Sequence, residues 1–270
     1  MSAVIISSIN LKGGVGKTAL AVNLAAYAAS KNKKTLLIDL DPQTNASFSC
    51  LGVDTWNKKV TENGSVADFL GARKHTSAEN SIRDPKSIII KNAMERIDLI
   101  PSHIDLFTVD LDLAGATSRE TRLRRALKDI TDEYDVIICD CPPNLTIPTQ
   151  NALALSTHYV VPVSLDYLSA IGVGLLIKRV DEFCNDLEHS LENIGIVLSR
   201  VGRPAIHREE TEIILRQQFN DLVLKQKISE RVAVSKCAQD RKSIFLGNDQ
   251  EAIWDFQNVC DDILSRAGVV

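Results

Sequence analysis

Seven short runs of apolar and β-branched residues recur along the chain, at 4–9, 35–39, 97–101, 135–140, 159–165, 194–199 and 222–228, with helix-like stretches between them. This alternation constrains the fold more than any other feature, because parallel strands need long crossovers and a helix is the usual one. The predicted fold class is α/β, a doubly wound and mostly parallel sheet with helices on both faces. Runs such as VIISSI and DVIICD are nearly continuous in apolar residues, as central strands covered on both sides should be. In such sheets ligands bind beyond the carboxyl ends of the strands, so the residues just after each run carry the functional reading. A chain of 270 residues, 44% hydrophobic and 24% charged, fits one such domain over 1–270 with a sizeable core. The polar, irregular stretches 54–65 and 71–86 are expected to be surface insertions.

After the first run comes NLKGGVGKTAL, where three glycines precede Lys17 and a helix-like pattern. Gly13, Gly14 and Gly16 lack Cβ atoms, so backbone N–H groups can approach phosphate oxygens, and the helix starting near Lys17 adds its positive end. Lys17 is placed to reach the β- and γ-phosphates, and the Thr18 hydroxyl to ligate Mg²⁺. The second run ends in Asp39 and Asp41 and the fourth in Asp140, so three carboxylates leave the same edge of the sheet. An acid after such a strand is what a Mg²⁺–nucleotide site uses, and Asp140 fits that role. From the residues alone, Asp39 or Asp41 could equally be a loop-capping acid.

KGGVGKT, LLIDLDPQ and DVIICDCPP together resemble the deviant Walker ATPases of the ParA/MinD superfamily, and NLKGGVGKT with DLDPQ is most similar to the ParA branch, a P-loop NTPase type. The resemblance covers most of the chain, with NALA at 151–154 and VVPV at 160–163. It implies that ATP and Mg²⁺ are held by Lys12, Gly13, Gly14, Val15, Gly16, Lys17, Thr18 and Ala19, with Thr18, Asp39 and Asp140 on the metal side. It further implies that Lys12 crosses the interface of an ATP-bound homodimer to the partner's phosphates, and that Asp41 orients the attacking water. Without ATP, lysines facing each other there would repel, and phosphates supply the matching charge. Departures from the ParA pattern are Leu11 in place of Gln, Ala19 in place of Thr, and ISER at 228–231 in place of a Pro-Arg-Asn segment near the base.

The formal charge is −4, yet residues 200–242 hold ten Lys or Arg against six acids. A local basic surface suffices for non-specific DNA binding, since phosphate contacts carry no base information. Arg203 matches a family arginine implicated in DNA contact, and Arg200, Arg231, Lys236, Arg241 and Lys242 are candidates by charge. A ParB-like or other adaptor would address the cargo. No helix-turn-helix precedes Val4, which speaks against operator binding. A MinD-like membrane switch would need a basic amphipathic C-terminus; here Glu251, Asp255, Asp261 and Asp262 stand against Arg266, and Ile253, Trp254, Phe256, Val259, Ile263 and Leu264 read as a core-facing stripe. Six cysteines without paired spacing suggest buried thiols, not disulfides, zinc or a metal-delivery enzyme, although Cys139 and Cys141 share a strand face. A biosynthetic enzyme on the same scaffold remains an alternative. With no signal-like or membrane-spanning run, a cytoplasmic protein is expected, nucleoid-associated when ATP-bound.

Overall fold

The computed structural model describes residues 3–71, 85–166 and 168–270. Eight strands form one sheet: β1 (Val4–Ser8), β2 (Thr35–Asp39), β3 (Ile90–Met94), β4 (Ile97–Ile100), β5 (Val136–Asp140), β6 (His158–Val163), β7 (Glu192–Val201) and β8 (Val223–Ser229). Their spatial order is β3-β4-β2-β5-β1-β6-β7-β8. Every pairing is parallel except β3 with β4. All seven runs read from the sequence are strands, and the fold class is the predicted one.

Period-two alternation divides the buried residues into two cores. Ile5, Leu36, Ile38, Ile137 and Val161 face one side with the helices Ile147–Leu155 and Ser169–Asp186. Ile6, Leu37, Ile138, Val160 and Val197 face the other with the helices Lys17–Ser30 and Gln250–Arg266. Small residues let Lys17–Ser30 lie close to the sheet: Ala21, Ala25 and Ala28 are fully buried.

Two readings need correction, and a third falls largely on residues the structure does not describe. Residues 54–65 are not an irregular insertion, because Val53–Asn63 is a helix whose Trp56 Nε1 donates to Ser102 O at 3.0 Å. Most of 71–86 lies outside the described residues. Trp254 does not face the core: it is 55% exposed and Ile253 only partly buried, whereas Phe256, Val259, Ile263 and Leu264 are buried. The sequence reading also missed β3, which pairs with β4 through a two-residue turn at Glu95 and Arg96, both at positive φ (43° and 67°). Such turns normally advertise themselves by Asn-Gly or Asp-Gly. Here tertiary bonds hold the turn, with Glu95 accepting from Ser243 N and Oγ at 2.7 and 2.6 Å, and Arg96 Nη1 donating to Asn32 Oδ1 at 3.1 Å.

Candidate functional site

The chain leaves β1 in the middle of the sheet, with β5 on one side and β6 on the other. This is a topological switch point, where neighbouring crossovers diverge and leave a crevice. Loop 9–16 fills it and leads into the helix Lys17–Ser30, whose N-cap Gly16 offers no side chain and whose first turn carries no acid. Gly14 and Gly16 sit at φ 76° and 90°, in the left-handed region that glycine adopts without strain. A Cβ on Gly16 would also lie 2.7 Å from Ser199 Oγ at the end of β7. Among the described residues, the N–H groups of Gly13, Gly14, Val15 and Gly16 donate to no protein acceptor. Orphan donors at a helix start make an anion cradle.

The Lys17 ammonium is buried and donates to Lys12 O at 2.9 Å. Burial lowers its pKa, against the opposing charges of Asp140 and Asp41. Register sets Ser8, Asp140 and Asp39 level on β1, β5 and β2. Asp140 is wholly buried and neither carboxylate oxygen has a hydrogen-bond partner among the described residues. Burial first, and then the charge of Asp39, push its pKa well above the ordinary carboxylate range. Asp39 is different: Oδ2 accepts from Ser47 N and Oγ at 2.8 and 2.7 Å, and Oδ1 from Asp41 N at 3.1 Å. Burial still raises its pKa to about 7. Asp41 lines the cleft, with Oδ1 accepting from Gln43 N at 2.9 Å.

A cleft of about 1030 Å³ opens over the loop, and Gly13, Lys17, Thr18, Asp41, Val234 and Arg241 are among the residues that line it. Among the described residues no three His, Cys, Asp or Glu converge as a metal cage. The donor set instead suits Mg²⁺, which takes one or two protein oxygens and completes its shell with phosphates and water. Asp140, an acid with two unpaired buried oxygens beside Thr18, fits such an ion. Asp39, with both oxygens engaged, is placed to hold Asp41 and the Ser47 helix.

Lys12 is half-exposed and its Nζ pairs with Asp166 Oδ2 at 2.5 Å. Burial opposes ionisation of Asp166, but hydrogen bonds from Lys12, Ser164 and Ser169 outweigh it and lower its pKa. Asp166 is not among the candidates legible in the sequence, although it follows β6 at the carboxyl edge of the sheet. Val15 is buried in the loop and Ala19 lines the cleft.

The six basic candidates separate. Arg200 does not stand on a free face: it donates to Gly14 O at 2.7 Å and pairs with Glu230 at 2.5 Å. Arg231 pairs with Glu251 and with Asp249 at 3.7 Å, and Lys242 with Asp240 at 3.2 Å. Among the described residues, Arg203, Lys236 and Arg241 make no ion pair. Arg203 is on the loop leaving β7 and the other two follow β8, and Val201 and Ser229 are register partners at that edge. Cys139 and Cys141 are buried thiols, with burial raising both pKa values, that of Cys139 to about 12.

Known proteins resemble this chain in sequence and in fold. Residues 3–193 match the family described as AAA domain. The chain is 35% identical over 243 residues to the sporulation initiation inhibitor protein Soj of Bacillus subtilis, covering 90% of each chain. It is 33% identical to the chromosome partitioning protein ParA of Myxococcus xanthus, over 90% of this chain and 81% of that one. A putative plasmid partition protein of Borrelia burgdorferi, solved bound to AMPPNP, superposes with a TM-score of 0.77 at 25% identity, covering 98% of this chain and 99% of that one. The family match over 3–193 spans both the phosphate loop and Asp140, and the chain belongs to the ParA/Soj family of P-loop ATPases.

Proposed function

We propose that the chain, as one domain over 1–270, is a Mg²⁺-dependent ParA-like ATPase that pairs on ATP, holds DNA without sequence preference in the paired form, and hydrolyses ATP when a ParB-like or other adaptor stimulates it. The observation that carries the ATPase reading is the unpaired Asp140 carboxylate level with an uncapped helix start and a buried lysine. A buried acid and a buried ammonium are both costly, and a Mg²⁺–triphosphate relieves both costs. Mg²⁺ when bound would neutralise charge on the phosphates, as it does in phosphoryl transfer. Gly13 to Thr18 would hold the phosphates, with Lys17 leaving Lys12 O for them. Asp41, kept in place by Asp39 and Gln43, would orient the attacking water. Lys12 would exchange Asp166 for a partner copy's phosphates. Arg203, Lys236 and Arg241 support the DNA reading as cations near one sheet edge that make no ion pair among the described residues, and pairing would present two such sets to one duplex.

Nucleotide binding by Lys17→Ala and Asp41→Ala tests the chemistry. Lys17→Ala is expected to bind no ATP, and Asp41→Ala to bind ATP without turning it over. Wild-type ATP affinity in Lys17→Ala would sink the site assignment. Sedimentation of Asp41→Ala with ATP is expected to show a dimer that Lys12→Ala returns to monomer. Asp41→Ala is expected to hold arbitrary duplex DNA with ATP and much less with ADP; equal binding in both would remove the switch.

A further inference from the structure

Arg200 departs from regular structure in two ways that share one result. It is a non-glycine residue in the left-handed region, at φ 52°. Such a conformation persists where the surroundings over-determine it. It also lies in a register break: β7 advances three residues from Leu198 to Val201 while β8 advances two, from Lys227 to Ser229. An extra residue of this kind is a β-bulge, which re-aims a side chain. Here the guanidinium is aimed back across the carboxyl edge at the phosphate loop, where Nη1 donates to Gly14 O at 2.7 Å. Glu230 Oε1 accepts from Nε and Nη2 at 3.2 and 2.5 Å, and Glu230 N is tied to Val201 O at 2.9 Å.

A trans peptide sets its C=O and N–H on opposite sides, so fixing Gly14 O turns the Val15 N–H away from the guanidinium. That N–H is one of the donors left without a protein acceptor. Gly14 has no side chain to limit its torsions and depends on outside contacts to hold one peptide orientation. We propose that Arg200, oriented by the bulge and by Glu230, is a positioning residue that fixes the Gly14–Val15 peptide for phosphate binding. This rests on the reading of the cleft as a nucleotide site. Arg200 and Glu230 are each about half-exposed, and an ion pair so wet contributes little to folding. Its effect should therefore fall on ligand affinity and not on stability.

Arg200→Gly is the discriminating variant, because glycine takes the left-handed conformation freely and only the side chain is lost. Anisotropy titrations with fluorescent ATP and ADP, each with MgCl₂, are run beside thermal melting without nucleotide. The expected result is roughly tenfold weaker binding of ATP and ADP alike, the size of one charge-assisted hydrogen bond, with the melting temperature unchanged or raised. Arg200→Lys, able to keep one anchor, should be intermediate, and Glu230→Gln should lose less than Arg200→Gly. The lysine and glutamine variants decide the matter if the glycine variant does not fold. Wild-type affinity for both nucleotides overturns the proposal. A loss confined to ATP does so too, by making Arg200 a contact of the terminal phosphate. If the wild-type protein binds neither nucleotide, the nucleotide reading itself falls; if it binds both and the variants match it, only the role of Arg200 falls.

Discussion

Asp140 shows most directly what one residue gives up for the site. A buried acceptor without a partner costs about 1–3 kcal/mol, and more when charged. Asp140→Asn should therefore stabilise the nucleotide-free protein while removing Mg²⁺-dependent ATP binding. Its pKa is raised in the folded chain, so the fold binds that proton more tightly than the unfolded chain does. The stabilisation from that proton is complete below the unfolded value near 3.8 and is lost as pH rises through the folded value. The advantage of Asp140→Asn should then be small at pH 5 and larger at pH 8, read by urea unfolding at both; an advantage that shrinks with pH would contradict the assignment. Lys12 is a milder case. Its pair with Asp166 is half-exposed, and such pairs contribute about 0–1 kcal/mol. Asp166→Asn should lower the ATP concentration that produces dimers in sedimentation by no more than about fivefold, since Asp166 competes only weakly for the lysine.

At the scale of elements, the phosphate loop depends on its glycines unequally. Gly16→Ala meets both an unfavourable φ of 90° and Ser199 Oγ at 2.7 Å. Strain of this kind costs about 1–3 kcal/mol before the clash is counted, and nucleotide binding should be lost with it. Gly14→Ala meets only the φ of 76°, with Arg200 Nη1 at an ordinary 3.6 Å, and should cost about 1 kcal/mol. Urea midpoints of the two variants check the order, and a more stable Gly16→Ala would refute it. The helix Gln250–Arg266 divides its aromatic residues in the same way. Phe256→Ala should cost about 3–5 kcal/mol because its ring is fully buried. Trp254→Ala, at an exposed position, should stay within about 0.5 kcal/mol by the same measurement.

Across the whole molecule, the carboxyl edge of the sheet gathers everything with a proposed role. β5 ends there in Asp140, the segments after β1, β2 and β6 bring Lys17, Asp41 and Asp166 to it, and β7 and the residue after β8 bring Arg200 and Glu230, with Arg203, Lys236 and Arg241 just beyond. Among the described residues no helix is long and apolar enough to cross a membrane. The apolar stripe of the last helix is spent on the core, which leaves little of it for a lipid surface. DNA held through phosphates should weaken steeply with salt, each lost contact removing about 0.9 from the slope of log K against log salt. Changing Arg203, Lys236 and Arg241 to Glu should flatten that slope, measured with ATP on the Asp41→Ala background. Arg231→Glu, which breaks ion pairs within the chain, should change the slope less. Equal effects would mean that the ion pairs open on DNA.

Sequence alone determined seven of the eight strands, their parallel direction and the glycine turn before the first helix, because these rest on local chemistry: β-branched runs make strands, glycines permit left-handed turns, and an apolar run continuous on both faces demands a covered parallel sheet. Asp140 was legible for the same reason, as an acid directly after such a run. Tertiary structure decided which charges are free. Arg200, Arg231 and Lys242 were indistinguishable from Arg203 and Lys236 by composition, since their partners Glu230, Glu251 and Asp240 are set by the docking of β8 and the last helix and by local side-chain geometry. The Glu95–Arg96 turn was hidden because Ser243 and Asn32 hold it in place of glycine. The Arg200 bulge was hidden because a register shift between β7 and β8 exists only once the two strands are paired.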